Sequence, residues 1–341
     1  MKFNFEATGL GSVPFKDPKV ALRVIFENCK EIPFWPQLPK RSFLENMYAQ
    51  YSEHLPGLVL DEANKSLYID TTGVAETVEE VYGKYLEGDT EFFRMSEDRA
   101  PGFYHFLESL KNPPKEIKFV KGQITGPVSF ALSVTDQNKR AIIYDKDLLE
   151  IVTKTMVMKA RWQVRKLKKA WASVIIFIDE PYLVSIGSSY VNINASTAFE
   201  KLDEVIKAVK SEGALAGLHC CGNTDWGLVL KSDIDILSFD AYNFTKELVL
   251  YGNELKDFFN RGGTVAWGIV PSSEAIDSQT RKSLNQKMDS VLSSLSEKGI
   301  SKDSISSIIT PSCGVGTLDE ERAFKIFEMT KTISESFQEK Q

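Results

Sequence analysis

The chain is short of the residues that would place it outside a reducing compartment or in a membrane. Four cysteines among 341 residues are too few for a disulfide scaffold. A reducing cytoplasm is therefore expected, where a cysteine is kept for packing, metal or catalysis. No apolar run approaches the ~18 residues of a membrane span; residues 172–178, Ala-Ser-Val-Ile-Ile-Phe-Ile, are typical of what there is. The opening Met1-Lys2-Phe3-Asn4-Phe5-Glu6 has neither the apolar stretch nor the small-residue cleavage site of a signal peptide. Unbroken basic runs are missing as well. With 41 Lys and Arg against 47 Asp and Glu the net charge is −6, which argues against nucleic acid or an anionic membrane as the main partner. Hydrophobic residues at 43% and charged ones at 26% are ordinary globular values and exclude disorder, collagen and coiled coil.

What the chain does have is a rhythm of short, β-branched apolar runs separated by longer helical patterns. Strands are expected at 5–14, 31–34, 117–123, 174–179, 215–221, 234–240, 264–269 and 306–310. Most of the last five are separated by segments long enough for a helix, such as 198–210 and 247–260. Eight strands suggest a closed (β/α)8 TIM barrel, one domain over 1–341, with a helical insertion at about 40–115 between strands 2 and 3. An open doubly wound sheet is the structural competitor. In a barrel, catalytic groups lie at the C-terminal ends of strands. There the sequence places Gly11-Ser12, Gly126-Pro127, Asp179-Glu180, His219-Cys220-Cys221, Asp240 and Cys313.

Three of the four cysteines fall at two of these strand ends. Side chains alternate with period two, so His219 and Cys221 share a face while Cys220 points away. Imidazole and thiolate are preferred zinc ligands, and two from one strand end with Cys313 from another make a three-ligand site open to a fourth group. Asp240, ending the next strand, is a candidate oxygen ligand. The plainer alternative treats the cysteines as small buried hydrophobes, and a structural zinc is a third reading. Cys29 lies in a helical pattern and is assigned to the core. Trp267, at the seventh strand end, is the tryptophan best placed to stack on a flat cofactor. His54 and His105 look like surface or packing residues. The basic stretch 159–169 reads as a solvated helix face that could dock an acidic carrier protein.

These residues resemble the zinc-dependent methyltransferases of the cobalamin-independent methionine synthase and uroporphyrinogen decarboxylase superfamily, above all the catalytic C-terminal barrel of that methionine synthase. Thr8-Gly9-Leu10-Gly11-Ser12-Val13-Pro14 looks like its opening Ile-Gly-Ser-Phe-Pro strand, and Lys121-Gly122-Gln123-Ile124-Thr125-Gly126-Pro127-Val128 is similar to its Lys-Gly-x-Leu-Thr-Gly-Pro-Val segment. Ile178-Asp179-Glu180-Pro181, His219-x-Cys221 and Cys313-Gly314 follow in the family's order, so the motifs span residues 8–316. His219-Cys220-Cys221-Gly222-Asn223-Thr224 also looks like the motif of corrinoid-dependent methyltransferases that alkylate thiols such as coenzyme M.

The resemblance implies zinc on His219, Cys221, Cys313 and Asp240, with Asp179 and Asp240 in catalytic roles and methyl transfer to a zinc-bound thiolate. Asp179 would hold the α-amino group of homocysteine and the backbone around Ser12 its carboxylate. Glu180, on the other face, is expected in a scaffold ion pair. The family's acidic residue near the second strand is missing, with Gln37 the nearest candidate. Its histidine after the seventh strand is also missing, since 266–274 offers only Ser and Glu. Nothing corresponds to the N-terminal barrel that helps to hold folate. These departures favour a methylcorrinoid donor, free or on a carrier protein, over folate. The alternatives are a methyltransferase for another small thiol such as coenzyme M, a metal-free uroporphyrinogen decarboxylase-like enzyme, and a non-catalytic corrinoid- or zinc-binding module.

Overall fold

Apolar runs buried on both faces need helices on one side and a second packing layer on the other, which is the signature of parallel strands. The computed structural model describes residues 2–188 and 191–340. Its strands, in chain order, are β1 (Asn4–Ala7), β2 (Leu58–Asp61), β3 (Ser66–Ile69), β4 (Val120–Thr125), β5 (Thr135–Asp136), β6 (Val174–Asp179), β7 (Leu215–Cys220), β8 (Ile236–Phe239), β9 (Thr264–Val270) and β10 (Ser307–Pro311). Seven of them form one parallel sheet in the order β1-β10-β9-β8-β7-β6-β4. Period two divides the core. Phe3, Phe119, Ile175, Phe177, Ile236, Ala266 and Ile308 cluster on the inner face. Their strand neighbours Ile176, Leu237, Val265 and Ile309 belong to the larger core under the helices.

The expected strand at 31–34 is a correction: residues 33–37 make only isolated bridges, Phe34 to Lys121 of β4 and Gln37 to Ser12 beyond β1. The reason is chemical. Pro33 and Pro36 have no N–H to donate, so a continuous ladder cannot propagate. The remaining groups still pair on both sides: Trp35 N donates to Lys121 O, and Lys121 N to Pro33 O. Gln37 N donates to Gly11 O, and Val13 N to Gln37 O. One segment thus touches both edges of the sheet, which therefore curls.

The insertion departs from expectation too, because it is not purely helical. It carries the helices Ala75–Glu87 and Pro101–Ser109, but β2 and β3 form an antiparallel hairpin that takes β5 on its edge. The Leu-Val-Leu-Asp and Ser-Leu-Tyr-Ile runs have strand-forming residues, and Asp61 closes the turn by accepting from Asn64 N at 3.0 Å. Outside the sheet, the helix Lys146–Ala170 packs on Ala195–Ser211 and on β4. Its start is set by Asp145, whose carboxylate accepts from Asp147 N and Leu148 N. No helix among the described residues is long and apolar enough to cross a membrane.

Candidate metal centre and cavity

The C-terminal strand ends converge as the alternation requires. His219 ends β7 in register with Asp179 of β6 on one side and Ser238 of β8 on the other. Its ring is buried, and Nδ1 lies 3.0 Å from Ser238 Oγ. Nε2 is closed off from solvent with no partner. Cys221, two residues on, shares that face, while Cys220 packs into the outer core. Cys313 arrives from the loop after β10. One ligand atom from each of His219, Cys221 and Cys313 lies within 4.8 Å of the others.

Electrostatics set these groups apart from buried scaffold. The Cys221 thiol is brought down to about 4, chiefly by the Cys313 thiol beside it and then by the neighbouring His219 ring, against its own burial. Cys313 moves the opposite way, because it donates to Cys221 and is itself buried. A thiolate facing an imidazole nitrogen and a second sulfur is a donor set suited to zinc, and the unpartnered Nε2 is the lone pair such an ion would use. Beside them, burial pushes Asp179 up to about 6, while nearby His219 and Lys121 hold its carboxylate down. Its Oδ1 is buried with no hydrogen-bond partner. Below, Lys121 lies 4.5 Å over the Phe177 ring, and burial lowers its ammonium to about 8.

The three-residue cluster and Asp179 line a cavity of about 310 Å³. Of the residues expected from sequence, Ser12, Gln37, Asp179, His219, Cys221 and Cys313 share its wall. Two glycines make that possible. Gly11 adopts a left-handed backbone (φ +115°) at the turn before Ser12. A Cβ on Gly314 would sit 2.1 Å from Ser12 Oγ, so any side chain there would have to turn the Ser12 hydroxyl away. Gln37 donates to Gln50 Oε1 at 2.6 Å, leaving its own Oε1 to the cavity side near Gly11.

Glu45 also lines the cavity, and the sequence reading missed it. Its carboxylate accepts from Arg41 Nη1 at 2.8 Å and Leu38 N at 3.2 Å, and burial pushes it up to about 7. The only local signal, Ser42-x-x-Glu45, is a helix-start pattern. Ser42 does cap the short 3-10 helix Phe43–Glu45, which disguises the glutamate as scaffold.

Other expectations need correction. Trp267 does not meet the cavity. It falls on the outer face of β9, fully buried, with Nε1 donating to Ser307 Oγ at 3.0 Å. Asp240 shares the inner face with Ser238 but is not among the converging ligands. It caps the helix Ala241–Val249, accepting from Asn243 N at 3.0 Å and Asn243 Nδ2 at 2.7 Å. Glu180 makes no ion pair among the described residues. Its two oxygens take the N–H groups of Val128 (3.0 Å) and Ser129 (2.7 Å), tying β6 to the start of the helix Pro127–Ser133. The basic stretch 159–169 is mostly neutralised within the chain: Arg161 and Arg165 bind Glu212, Lys166 binds Glu91, and Lys159 is buried. His54 packs on Phe92 and His105 lies on a separate surface hollow, so His219 is the histidine of the cavity.

No protein-family model matches the chain, and no curated protein does. Among solved structures it is similar to a B12-independent methionine synthase from Shewanella sp. W3-18-1 in complex with selenomethionine. The identity is 17%, over 69% of this chain and 67% of that one, with a TM-score of 0.48. Likeness of this extent assigns no activity.

Proposed function

We propose that the chain is a methyltransferase that makes methionine from homocysteine, with a methylcorrinoid, free or on a carrier protein, as donor. His219, Cys221 and Cys313 would hold a zinc ion. Residues 33–37 would complete the sheet as the eighth strand of a (β/α)8 barrel, a single domain with its insertion at about 40–115. The observation that carries this reading is one wall of the cavity: an unpartnered histidine nitrogen and two converging sulfurs beside an unpartnered carboxylate oxygen.

Each residue then has defined work. A zinc ion at the cluster supplies the Lewis acidity that lowers a thiol's pKa, so that a thiolate is available at neutral pH. Asp179 offers its free Oδ1 to the substrate ammonium, a charge-assisted contact in a dry site. The turn at Gly11-Ser12 presents backbone to the substrate carboxylate. Holding sulfur and methyl donor in line supplies much of the rate. The donor would supply an electrophilic methyl group to the substrate sulfur, whose lone pair would form the new S–C bond, and would keep the electron pair of the bond it gives up. That leaving group needs no proton, in keeping with a cavity whose histidine already belongs to the cluster.

The same wall weighs against the other substrates. Among the described residues no Lys or Arg lines the cavity, whereas Asp179 and Glu45 do. A sulfonate such as that of coenzyme M, or a polycarboxylate porphyrinogen, would be buried against carboxylates without a counter-charge. At about 310 Å³ the space is also at the small end for ligand sites, which run from about 300 Å³ upward.

The test is a thiol-methylation assay crossing homocysteine and coenzyme M with methylcobalamin and methyltetrahydrofolate, alongside zinc analysis of the wild type and Cys221→Ser. Homocysteine with methylcobalamin should be the productive pair, and Cys221→Ser should lose both zinc and turnover. Brisk transfer from methyltetrahydrofolate without corrinoid would sink the donor assignment, and a zinc-free active wild type would sink the metal.

A further inference from the structure

The unpartnered Nε2 of His219 raises the question of what keeps the ring turned that way. Neutral imidazole carries one proton, and the nitrogen that lacks it is the only one able to bind a metal. Ser238 sits directly across the ladder from His219. It is fully buried, and its Oγ is 3.0 Å from Nδ1. A hydroxyl there can accept the Nδ1 proton, which would leave the lone pair on the unpartnered Nε2.

Cys313 has a comparable support. It lies in a loop, where nothing in a strand ladder fixes its backbone. Ser272, just past β9, grips it twice: Ser272 Oγ donates to Cys313 O at 2.7 Å and accepts from Cys313 N at 3.0 Å. Ser272 N in turn donates to Ser312 Oγ at 3.0 Å. The hydroxyl therefore closes a small ring onto the residue whose sulfur must meet the cluster.

We infer that Ser238 and Ser272 are positioning residues of the metal centre, the first selecting the His219 tautomer and the second setting the backbone of Cys313. The inference rests on the zinc site proposed above and adds residues that no motif pointed to. Partners of this kind typically change metal affinity by about 10–100-fold.

Two measurements on the full chain separate this from the function itself. The first is zinc affinity by competition with a chromophoric chelator. Ser238→Ala and Ser272→Ala should each bind about 10–100-fold more weakly than wild type, with Ser238→Thr restoring most of the loss. The second is the nitrogen-15 spectrum of the imidazoles in the metal-free chain, where three histidines give a tractable set. His219 should carry its proton on Nδ1 in the wild type and in Ser238→Thr, and shift toward Nε2 in Ser238→Ala. Unchanged zinc affinity in Ser238→Ala, an unchanged tautomer, or equal losses in the Ala and Thr variants would overturn the role of Ser238. Unchanged affinity in Ser272→Ala would overturn that of Ser272. A wild type that takes up no zinc removes the proposed metal centre, while the tautomer still decides whether Ser238 orients the ring.

Discussion

The rim of the parallel sheet and the outer face of the helix Lys146–Ala170 are both rich in ionisable side chains, and they treat them in opposite ways. On the helix, Lys154 and Lys201 share Glu150 and Glu204, Arg161 and Arg165 share Glu212, and Lys166 meets Glu91. At the rim, Asp179 Oδ1 and His219 Nε2 are buried with nothing to bind. The contrast is sharpest between neighbours. Glu180 spends both oxygens on backbone N–H groups, and Asp179, one residue earlier, leaves one empty. An unsatisfied buried polar group costs about 1–3 kcal/mol. On the cavity wall, the two incomplete groups are the ones a ligand would complete.

Asp179→Asn should break this comparison most visibly. Losing the charge that faces the substrate ammonium should raise the homocysteine KM by about 30-fold or more, since such a pair is worth about 2 kcal/mol at least. Zinc content should not change. Stability of the metal-free chain should hold or rise, because the variant removes a carboxylate with no partner. In the wild type, the KM should climb as pH falls through about 6, where Asp179 takes up its proton; that limb should be missing from the variant. A KM that does not move would return Asp179 to the scaffold.

Glu180→Gln tests the other half of the pair. The two N–H groups of Val128 and Ser129 meet separate oxygens, and an amide has only one oxygen, so a loss of about 1–3 kcal/mol in denaturant unfolding is expected, with the homocysteine KM nearly unchanged. Burial pushes Glu180 up to about 7 from 4.5. Between those values the folded chain holds a proton that the unfolded chain has lost, so this group's stabilisation falls as pH rises through that window and is level above it. The gap between wild type and variant should narrow from pH 4.5 to 7. A gap that widens would show that the carboxylate is held ionised.

Much of this contrast was legible in the residues. The run 174–179 became β6 with the same bounds, since its apolar residues stop at a charge. The His219-x-Cys221 alternation placed both on the inner face by geometry alone. Trp267 was misplaced for an instructive reason. β9 is buried at every position, its one hydroxyl residue Thr264 included, so polarity does not reveal which parity faces inward, and its register with β8 and β10 does. Asp240 has the strand-end position of a metal ligand and, with Asn243, the spacing of a helix cap, which is the role it fills, and Ser42-x-x-Glu45 hides a cavity carboxylate behind a similar pattern. Prolines decided the segment 33–37, where local hydrogen-bond supply overrides strand propensity.

The smallest expected effect lies on the helix. Arg165 holds Glu212 in a two-pronged contact, Nε to Oε2 at 2.9 Å and Nη2 to Oε1 at 2.8 Å, yet its side chain is 41% exposed. Water competes for both partners, and surface pairs contribute at most about 1 kcal/mol. Glu212 also keeps Arg161 at 2.8 Å, so Arg165→Ala leaves the carboxylate paired. A double-mutant cycle of Arg165→Ala with Glu212→Gln should therefore give a coupling below about 1 kcal/mol, shrinking in high salt, with zinc affinity and KM unmoved. A change in KM from this distant pair would mean that the helix transmits to the rim, and the division between completed and incomplete charges would no longer separate scaffold from site.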